Sequence, residues 1–218
     1  TYCLSMAYEV IKIVLVTIAV SFLIADGANP TSCRGGIIEA QCNLQNNPNL
    51  KDVSYTIGGS VSFRQNVTSD CRRRLSLLEI TTRITGLPTN DGTEYHSIHV
   101  HESNDSSKGC ESMGSHFNPL NTSHGSPHDA LEMRHVGDFG NLQKYVNENS
   151  GGYINNKRTD PLLNLVGNHS IIGRGLVLSA KMDDNGLGGD AGSVIDGNSG
   201  PALACCVIEQ TQSRRKNK

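Results

Sequence analysis

Residues 95–141 read YHSIHVHESNDSSKGCESMGSHFNPLNTSHGSPHDALEMRHVGDFGN and contain seven of the eight histidines in the chain. Imidazole is the commonest metal-binding side chain and the one that titrates nearest to neutral pH. The histidines are dispersed through the stretch rather than contiguous, as they would be in an affinity tag. The stretch therefore predicts a metal site.

His99 and His101 stand two residues apart in the alternating segment Ile98-His99-Val100-His101. In a β-strand this spacing points both imidazoles to one face, while Ile98 and Val100 point to the other. The segment predicts a rigid pair of metal ligands on a strand.

Three further histidines and an aspartate follow in a segment rich in Gly, Pro, Ser and Asn, which indicates a long loop. They are His116, His124, His135 and Asp138. Three imidazoles and one carboxylate form a closed tetrahedral zinc set, which serves structure more than chemistry. Zinc coordination would offset the entropy lost in ordering such a loop. Three histidines are interpreted as ordinary surface or core residues: His96, His128 and His169.

The segments IHVHE, GCxSxGxHFNP, HGxP and RHVGDxGN, in this order, resemble the copper/zinc superoxide dismutase family, and the similarity runs from about Ile37 to Ile208. The resemblance implies an eight-stranded antiparallel Greek-key barrel with long metal-binding and electrostatic loops. Short alternating segments without a sustained helical period independently favour an all-β sandwich or barrel. The predicted strands are 36–44, 53–65, 76–87, 93–102, 151–156, 169–179 and 202–208.

The resemblance also assigns roles to individual residues. The implied zinc ligands are His116, His124, His135 and Asp138, with His116 as the imidazolate that bridges to copper. The implied copper ligands are His99, His101 and His116. Asp183 matches an aspartate that ties the copper and zinc histidines together. The family's disulfide would join Cys110 to Cys205.

Two departures from the family pattern fall in the copper site. The run 176–189, LVLSAKMDDNGLGG, places Ser179 where the family has its fourth copper histidine, and Ala202 stands where the family has its channel arginine. Loss of even an outer partner of a metal typically costs about 10- to 100-fold in affinity or activity. Electrostatic steering in a charged cleft is worth about 10- to 1,000-fold in on-rate. We expect weakly held copper and weak or absent dismutase activity.

Two functions follow from these losses. The chain could be a dismutase-like protein that retains zinc and has a binding or regulatory role in superoxide or metal handling, with a dismutase as one candidate partner. Alternatively, it is a slow but genuine superoxide dismutase that converts superoxide to oxygen and hydrogen peroxide on copper.

The beginning of the chain predicts export. Residues 13–24, IVLVTIAVSFLI, match the apolar core of a signal peptide and fall short of the roughly 20 residues that cross a bilayer. A membrane anchor and a buried helix are the alternatives, and Met6 is an alternative start. We expect a signal peptide at 1–27, an extension at 28–36, the dismutase-like domain at 37–210 and a basic tail at 211–218, in a secreted protein.

Glycosylation motifs and cysteines agree with an extracellular location. The sequons begin at Asn66, Asn104, Asn121 and Asn168. Removal of the leader leaves six cysteines, an even number that suits an oxidising compartment. Four have no assigned partner: Cys33, Cys42, Cys71 and Cys206. For Cys42, a packed free thiol and a second disulfide both stay open.

Charge and surface residues bear on partners. With 19 Lys and Arg against 21 Asp and Glu, the chain gives no indication of nucleic-acid binding, and membrane contact is not expected. The tail SRRKNK could bind heparan sulfate or another acidic surface, or could be a solvated terminus. Ser103, Asn104 and Gln210 replace apolar residues of the family's dimer contact, which predicts a monomer or a different dimer.

Overall fold

The computed structural model describes residues 36–51, 53–147 and 151–211. The predicted signal peptide, nearly all of the extension and of the basic tail, and Cys33 lie outside the described residues. Within the described part, no helix has the length and apolar character needed to cross a bilayer.

The described residues form eleven strands: β1 Ile37–Asn43, β2 Gln45–Asn46, β3 Gly58–Asn66, β4 Leu78–Leu87, β5 Tyr95–His101, β6 Asp138–Gln143, β7 Tyr145–Asn147, β8 Gly151–Asp160, β9 Gly175–Ser179, β10 Ala202–Val207 and β11 Glu209–Gln210. Of these, eight have five or more residues, which equals the number expected. One short helix, α1 Ser193–Asp196, and two 3₁₀ turns, Cys110–Met113 and Leu131–Met133, lie in the long connections.

The strands form two antiparallel sheets, in the orders β11-β1-β3-β4-β8-β7 and β2-β10-β9-β5-β6. Alternating side chains from both sheets, such as Ile38, Phe63, Ile80, Ile98 and Leu178, are buried in a shared core. The expected all-β sandwich or barrel is therefore confirmed. Its five-stranded sheet carries β5, and the β5–β6 connection, which contains His116, His124 and His135, returns to that strand, where Val100 N–H donates to Gly137 O at 3.0 Å.

One strand of the metal-binding half was not expected from the sequence. β6 begins at Asp138 and pairs with β5, with Asp138 opposite His99 in the register. The sequence showed no alternation here because Asp138, Phe139 and Gly140 are all buried in succession. The interpretation of Asp138 as a loop residue was wrong in this detail, and the pairing fixes the carboxylate against the His-x-His strand.

Two adjacent cysteines of β10 each form a disulfide. Cys205 is bonded to Cys110 in the first 3₁₀ turn, and Cys206 is bonded to Cys42 in β1. The second bridge links the two sheets across the core and decides the alternative left open at Cys42. Cys71 is disulfide-bonded as well.

Candidate metal centre

Alternate side chains of β5 face the hydrophobic core and the candidate metal centre. Ile98 and Val100 are fully buried in the core, whereas His99 and His101 project from the opposite face. The connection that returns past this face bonds to the strand at Phe117, whose N–H donates to Val100 O at 2.7 Å. This contact brings His116 beside both strand histidines.

Three imidazoles surround one oxygen of Asp138. Asp138 Oδ1 lies 3.0 Å from Nδ1 of His116, 3.0 Å from Nδ1 of His124 and 3.3 Å from Nδ1 of His135. The three ring centroids are 5.4–5.6 Å apart from one another, so the rings surround a common point. We call these four residues the inner set.

The inner set has the dimensions and the unpaired atoms of a zinc site. A tetrahedral zinc ion with bonds of about 2.0 Å places its ligand atoms about 3.3 Å apart, close to the spacing around Asp138. The buried Nδ1 atoms of His124 and His135 lie close to Asp138 Oδ1, but neither makes a well-aligned hydrogen bond with the described residues. Buried polar atoms without partners are rare and need an explanation. A divalent cation among the four ligand atoms supplies it, so the residues fit zinc.

The other oxygen of Asp138 holds the carboxylate in place. Asp138 Oδ2 accepts hydrogen bonds from the backbone N–H groups of His135 at 2.7 Å and Gly125 at 3.1 Å. The side chain of Arg134, which is completely buried, donates from Nε to His135 O at 3.1 Å and from its other nitrogens to Pro127 O and Asp138 O. This arginine therefore ties the connecting loop to β6. Sequence reasoning did not single it out.

Asp183 joins the two strands of the site to the buried ring of His124. Its carboxylate bonds His99 Nε2 at 2.9 Å through Oδ2 and His124 Nε2 at 2.8 Å through Oδ1. Asn141 in β6 exchanges two hydrogen bonds of 2.8 Å with the Asp183 backbone. A Cβ at Gly197, where φ is +69°, would stand 2.0 Å from Asp183 Oδ1 and 2.5 Å from His124 Nε2. Only glycine leaves room for this bridge.

Charge is concentrated at His124. Burial lowers the pKa of His124, but the carboxylates of Asp138 and Asp183 outweigh it and raise that pKa to about 9. Burial raises the pKa of Asp138, and its three histidine neighbours hold the pKa well below the usual range. Two buried carboxylates and one imidazolium therefore share the metal-free site. A divalent cation would replace that proton.

A second group, which we call the outer set, consists of His99, His101 and His116. His99 and His116 stack with ring centroids 4.0 Å apart, and the His101 ring centroid lies 5.2 Å from that of His116. His101 Nδ1 donates to Gly114 O at 2.7 Å. Each ring has one nitrogen in a hydrogen bond and one without a hydrogen bond to the described residues.

The outer set is neutral, in contrast to the inner set. Burial and the neighbouring His116 lower the pKa of His101 to about 4, and burial and His99 lower the pKa of His116 to about 4. Ligand atoms of His99, His116, His124 and Asp138 lie within 4.8 Å of one another, so the two sets form one continuous cluster. Neutral imidazoles are the form that binds metal ions.

A cavity of about 400 Å³ opens beside the outer set, lined by His101 and His116. Ser179, at the end of β9, and Ala202, at the start of β10, face each other in the strand register and also line the cavity. None of its lining residues is Lys or Arg. The departures predicted from the sequence thus lie together in one cavity.

The remaining sequence features lie away from the cluster. His96 is buried and donates from Nδ1 to Ser179 O at 3.0 Å, whereas His128 is exposed. The four sequon asparagines, Asn66, Asn104, Asn121 and Asn168, are all exposed. Ser103 and Gln210, which were expected to alter a dimer contact, are half-buried.

Two antiparallel sheets with a buried cluster of histidine and carboxylate side chains that could hold a metal ion are typical of a metalloprotein. The family model "Copper/zinc superoxide dismutase" matches residues 57–208. Extracellular superoxide dismutase [Cu-Zn] of Rattus norvegicus is 39% identical over 190 residues, which cover 83% of this chain and 70% of the relative. Superoxide dismutase [Cu-Zn] A of Xenopus laevis is 41% identical over 172 residues, 79% of this chain and 97% of the relative.

The extracellular enzyme of Oryctolagus cuniculus is 36% identical over 173 residues, and the chain spans 63% of its length. The chain belongs to the copper/zinc superoxide dismutase family. The family's metals are copper and zinc, and the His/Asp cluster described above is of the kind that holds them.

Proposed function

We propose that this chain is a secreted superoxide dismutase-like protein that binds zinc in a complete site and copper in an incomplete one, with little or no dismutase activity. Its role is then binding or regulation in superoxide or metal handling. The observation that carries the proposal is the pair Ser179 and Ala202, which lines the cavity where a fourth imidazole and a guanidinium would be needed.

The inner set is the proposed zinc site. His116, His124 and His135 supply three nitrogens and Asp138 supplies one oxygen, which completes a tetrahedron and leaves no open position. Two backbone N–H groups on Asp138 Oδ2 fix the carboxylate, and Asp183 fixes the His124 ring. Such a site stabilises the fold and does not bind substrate.

The outer set is the proposed copper site, with His116 shared between the two metals. His99 and His101 are oriented by Asp183 and by Gly114 O, so the ligands that are present are well positioned. Ser179 contributes a hydroxyl, which is a poor copper ligand at neutral pH. Weak copper binding follows from the missing nitrogen and not from disorder of the others.

Copper, when bound, supplies the family's redox chemistry, in which one superoxide is oxidised to oxygen and another is reduced to hydrogen peroxide. The chain's own residues hold the ligands in position and supply the proton. When it is not bound to copper, His116 Nε2, the ring nitrogen outside the inner set, is the atom that would hold a proton for the reduced product. Asp183 keeps His99 fixed while this happens.

The cavity does little to attract an anion. Its lining includes the carboxyl residues Glu111 and Asp196 and no cationic side chain. The methylene groups of Lys181 lie beside Gly200, but Lys181 is exposed and does not line the cavity. Without a guanidinium at position 202, a large part of the roughly 10- to 1,000-fold steering effect is lost.

Secretion and a monomeric state are part of the proposal. Support comes from the leader-like apolar run, from four exposed sequons and from the extracellular names of several relatives. Ser103, Asn104 and Gln210 offer a polar surface where a stable dimer needs an apolar and complementary one.

The test compares the secreted chain with the Ser179→His/Ala202→Arg double variant. Metal content by mass spectrometry and dismutation by stopped flow are measured on both proteins. We expect stoichiometric zinc and substoichiometric copper in the native chain, and a rise in turnover of at least about 100-fold in the double variant.

The matched control is Ser54→His/Ala130→Arg, which adds the same side chains at exposed positions outside the cavity and should change nothing. Stoichiometric copper with family-like turnover in the native chain would contradict the proposal. A moderate rise in the double variant, from appreciable native turnover, would instead support the slow but genuine dismutase.

A further inference from the structure

Strand β6 contains a bulge immediately after Asp138. In its pairing with β5, Gly140 lies opposite Ile98 and Asp138 lies opposite His99, so Phe139 is an extra residue on β6. A bulge leaves its extra residue outside the ladder of hydrogen bonds and re-aims the side chains beside it. The position of the Asp138 carboxylate therefore depends on how the bulged residue is held.

Two guanidinium groups bind the backbone carbonyls at the bulge. Arg134 donates from Nη2 to Asp138 O. Arg158 donates from Nη2 to Phe139 O. Arg134 lies in the same connection as the inner-set histidines, whereas Arg158 lies in β8, a strand of the six-stranded sheet that contributes no residue to either set. Arg158 thus links the opposite sheet to the residue that follows Asp138.

The Arg158 side chain occupies a core-facing position of β8. Ile154 and Asp160, which lie at alternate positions on the same face of this strand, are buried. Arginine is seldom found at such positions unless its charge is paired. The guanidinium carbon lies 3.7 Å from the centroid of the completely buried Phe139 ring, whose face attracts a cation. Both the ring and the carbonyl that Arg158 contacts therefore belong to Phe139.

Arg158 is charged. Burial lowers the pKa of its guanidinium to about 10, an effect that Asp160 opposes and Arg134 increases, so the group keeps its proton at neutral pH. Asp160 is itself held in place, because its Oδ1 accepts hydrogen bonds from the N–H groups of Leu162 at 2.7 Å and Leu163 at 2.8 Å. The cation over the Phe139 ring thus interacts with a fixed carboxylate of its own strand.

The hydrogen bonds of Arg158 show what the side chain contributes. Within the described part of the chain, its guanidinium bonds to Phe139 O, and its buried Nε has no partner. Burial of an N–H group without a partner costs free energy. The fold bears this cost at a position where an apolar side chain would also fill the core, which indicates that the contact with Phe139 is the contribution of the arginine.

We propose that Arg158 is a positioning residue that fixes the Asp138 carboxylate by holding the bulged Phe139 from the opposite sheet. The three imidazole nitrogens lie 3.0–3.3 Å from Asp138 Oδ1, and a displacement of about 0.5 Å is enough to impair such a site. The inference rests on the proposed function, because it takes the inner set to be the zinc site. It assigns a role in that site to a strand that supplies no ligand.

The experiment uses the full chain and two metal probes, zinc and cobalt(II). Zinc affinity is measured by competition with a chelator, and the visible absorption of bound cobalt(II) reports the geometry of its ligands. Arg158→Met fills the space without a charge or a donor, and we expect it to lower zinc affinity by about 10- to 100-fold and to change the cobalt absorption. Arg158→Lys keeps a cation that can lie over the Phe139 ring and should recover most of both properties.

Two control variants lie in the same strand. Lys157→Met removes a cation from the neighbouring, exposed position of β8 and should change neither measurement. Ile154→Val trims a buried side chain on the same face as Arg158, so it should lower the stability of the fold and leave the cobalt absorption native. This second control separates positioning of the carboxylate from a general loss of stability.

Native zinc affinity and cobalt absorption in Arg158→Met would overturn the inference, as would an equal change in Ile154→Val. If Arg158→Met does not fold, Phe139→Leu tests the same contact, because it removes the ring and keeps the core filled. Its cobalt absorption should change, and a native absorption would overturn the inference. Failure of the native chain to bind zinc contradicts the proposed zinc site as well, whereas zinc binding that Arg158→Met leaves unaltered contradicts only this inference.

Discussion

The inner and outer sets share His116 but differ in charge and completeness. The inner set surrounds a buried carboxylate, and Asp138 is 0% exposed, whereas the outer set consists of neutral rings beside an open cavity. The residues that support the inner set, including Arg134 and Asn141, are all present. On the proposed assignment, the family histidine and arginine that Ser179 and Ala202 replace both belong to the outer set. The inner set, which stabilises the fold, and the outer set, which would carry redox chemistry, can therefore change independently of each other.

Removal of the inner carboxylate should give the largest effect. Asp138→Asn keeps the shape but deprives three imidazoles of their common anion and His124 of the charge that balances its proton. We expect zinc affinity to fall by at least about 100-fold and stability to fall by about 3–5 kcal/mol, as for a broken buried ion pair. Zinc titration and thermal unfolding with and without zinc measure this.

Glu94→Gln, which removes an exposed carboxylate just before β5, is the control and should leave both quantities unchanged. If Asp138→Asn retained full zinc affinity, Asp138 would not be a ligand and the inner set would lose its role.

Removal of each disulfide tests whether the outer set depends on the turn that the Cys110–Cys205 bridge holds in place. The bridges close loops of 95 and 164 residues, and removal of either should cost about 2–5 kcal/mol. Only Cys110→Ser/Cys205→Ser should also weaken copper binding, because the Cys110 turn precedes Gly114, whose carbonyl orients His101. Equal copper affinity in Cys110→Ser/Cys205→Ser and Cys42→Ser/Cys206→Ser would show that this support is not needed.

The single variant Ser179→His sharpens the comparison by completing the outer set. Copper affinity should rise by about 10- to 100-fold, the size of effect that metal-site partners commonly have. Zinc affinity should stay the same, since Asp138 and its three imidazoles do not contact position 179. Competition with a calibrated chelator measures both ions, and a parallel rise in zinc affinity would mean that the two sets are not independent.

Much of this architecture follows from local sequence patterns. The alternation Ile98-His99-Val100-His101 predicted both the strand and the shared face of its histidines, because a half-buried strand has a period of two. The family resemblance placed Cys110 and Cys205 together, and the structure contains that bond. The cysteine pair Cys42 and Cys206 could not be assigned because sequence alone does not give disulfide connectivity.

Other parts depended on contacts between distant segments. β6 is buried on both faces and shows no alternation, so Asp138 read as part of a loop. Arg134 acts through three backbone carbonyls, and Gly197 acts through the space it leaves beside Asp183. Neither role has a local sequence signal, because the partners are defined only once the loops are folded.

The pH dependence of the metal-free protein should show the smallest effect and still separate the two sets. His101 and His116 have a folded pKa of about 4, below the roughly 6.5 of an unfolded histidine, so the unfolded chain binds more protons between these values. Their contribution to stability is present above pH ~6.5 and is lost as the pH falls towards 4. Burial lowers the pKa of His99 as well, which adds to this acid limb.

His124 behaves in the opposite way, because its folded pKa is raised to about 9. Its contribution is complete below pH ~6.5 and is lost as the pH rises through 9, so metal-free stability should peak near pH 6.5. Each fully titrating group gives a slope of up to about 1.4 kcal/mol per pH unit. Denaturant unfolding across this range measures both limbs. Zinc should abolish the alkaline limb, since the metal displaces the His124 proton, whereas His128→Gln, an exposed position outside the cluster, should alter neither limb. An alkaline limb that persists in saturating zinc would place the ion away from His124 and remove the distinction between the two sets.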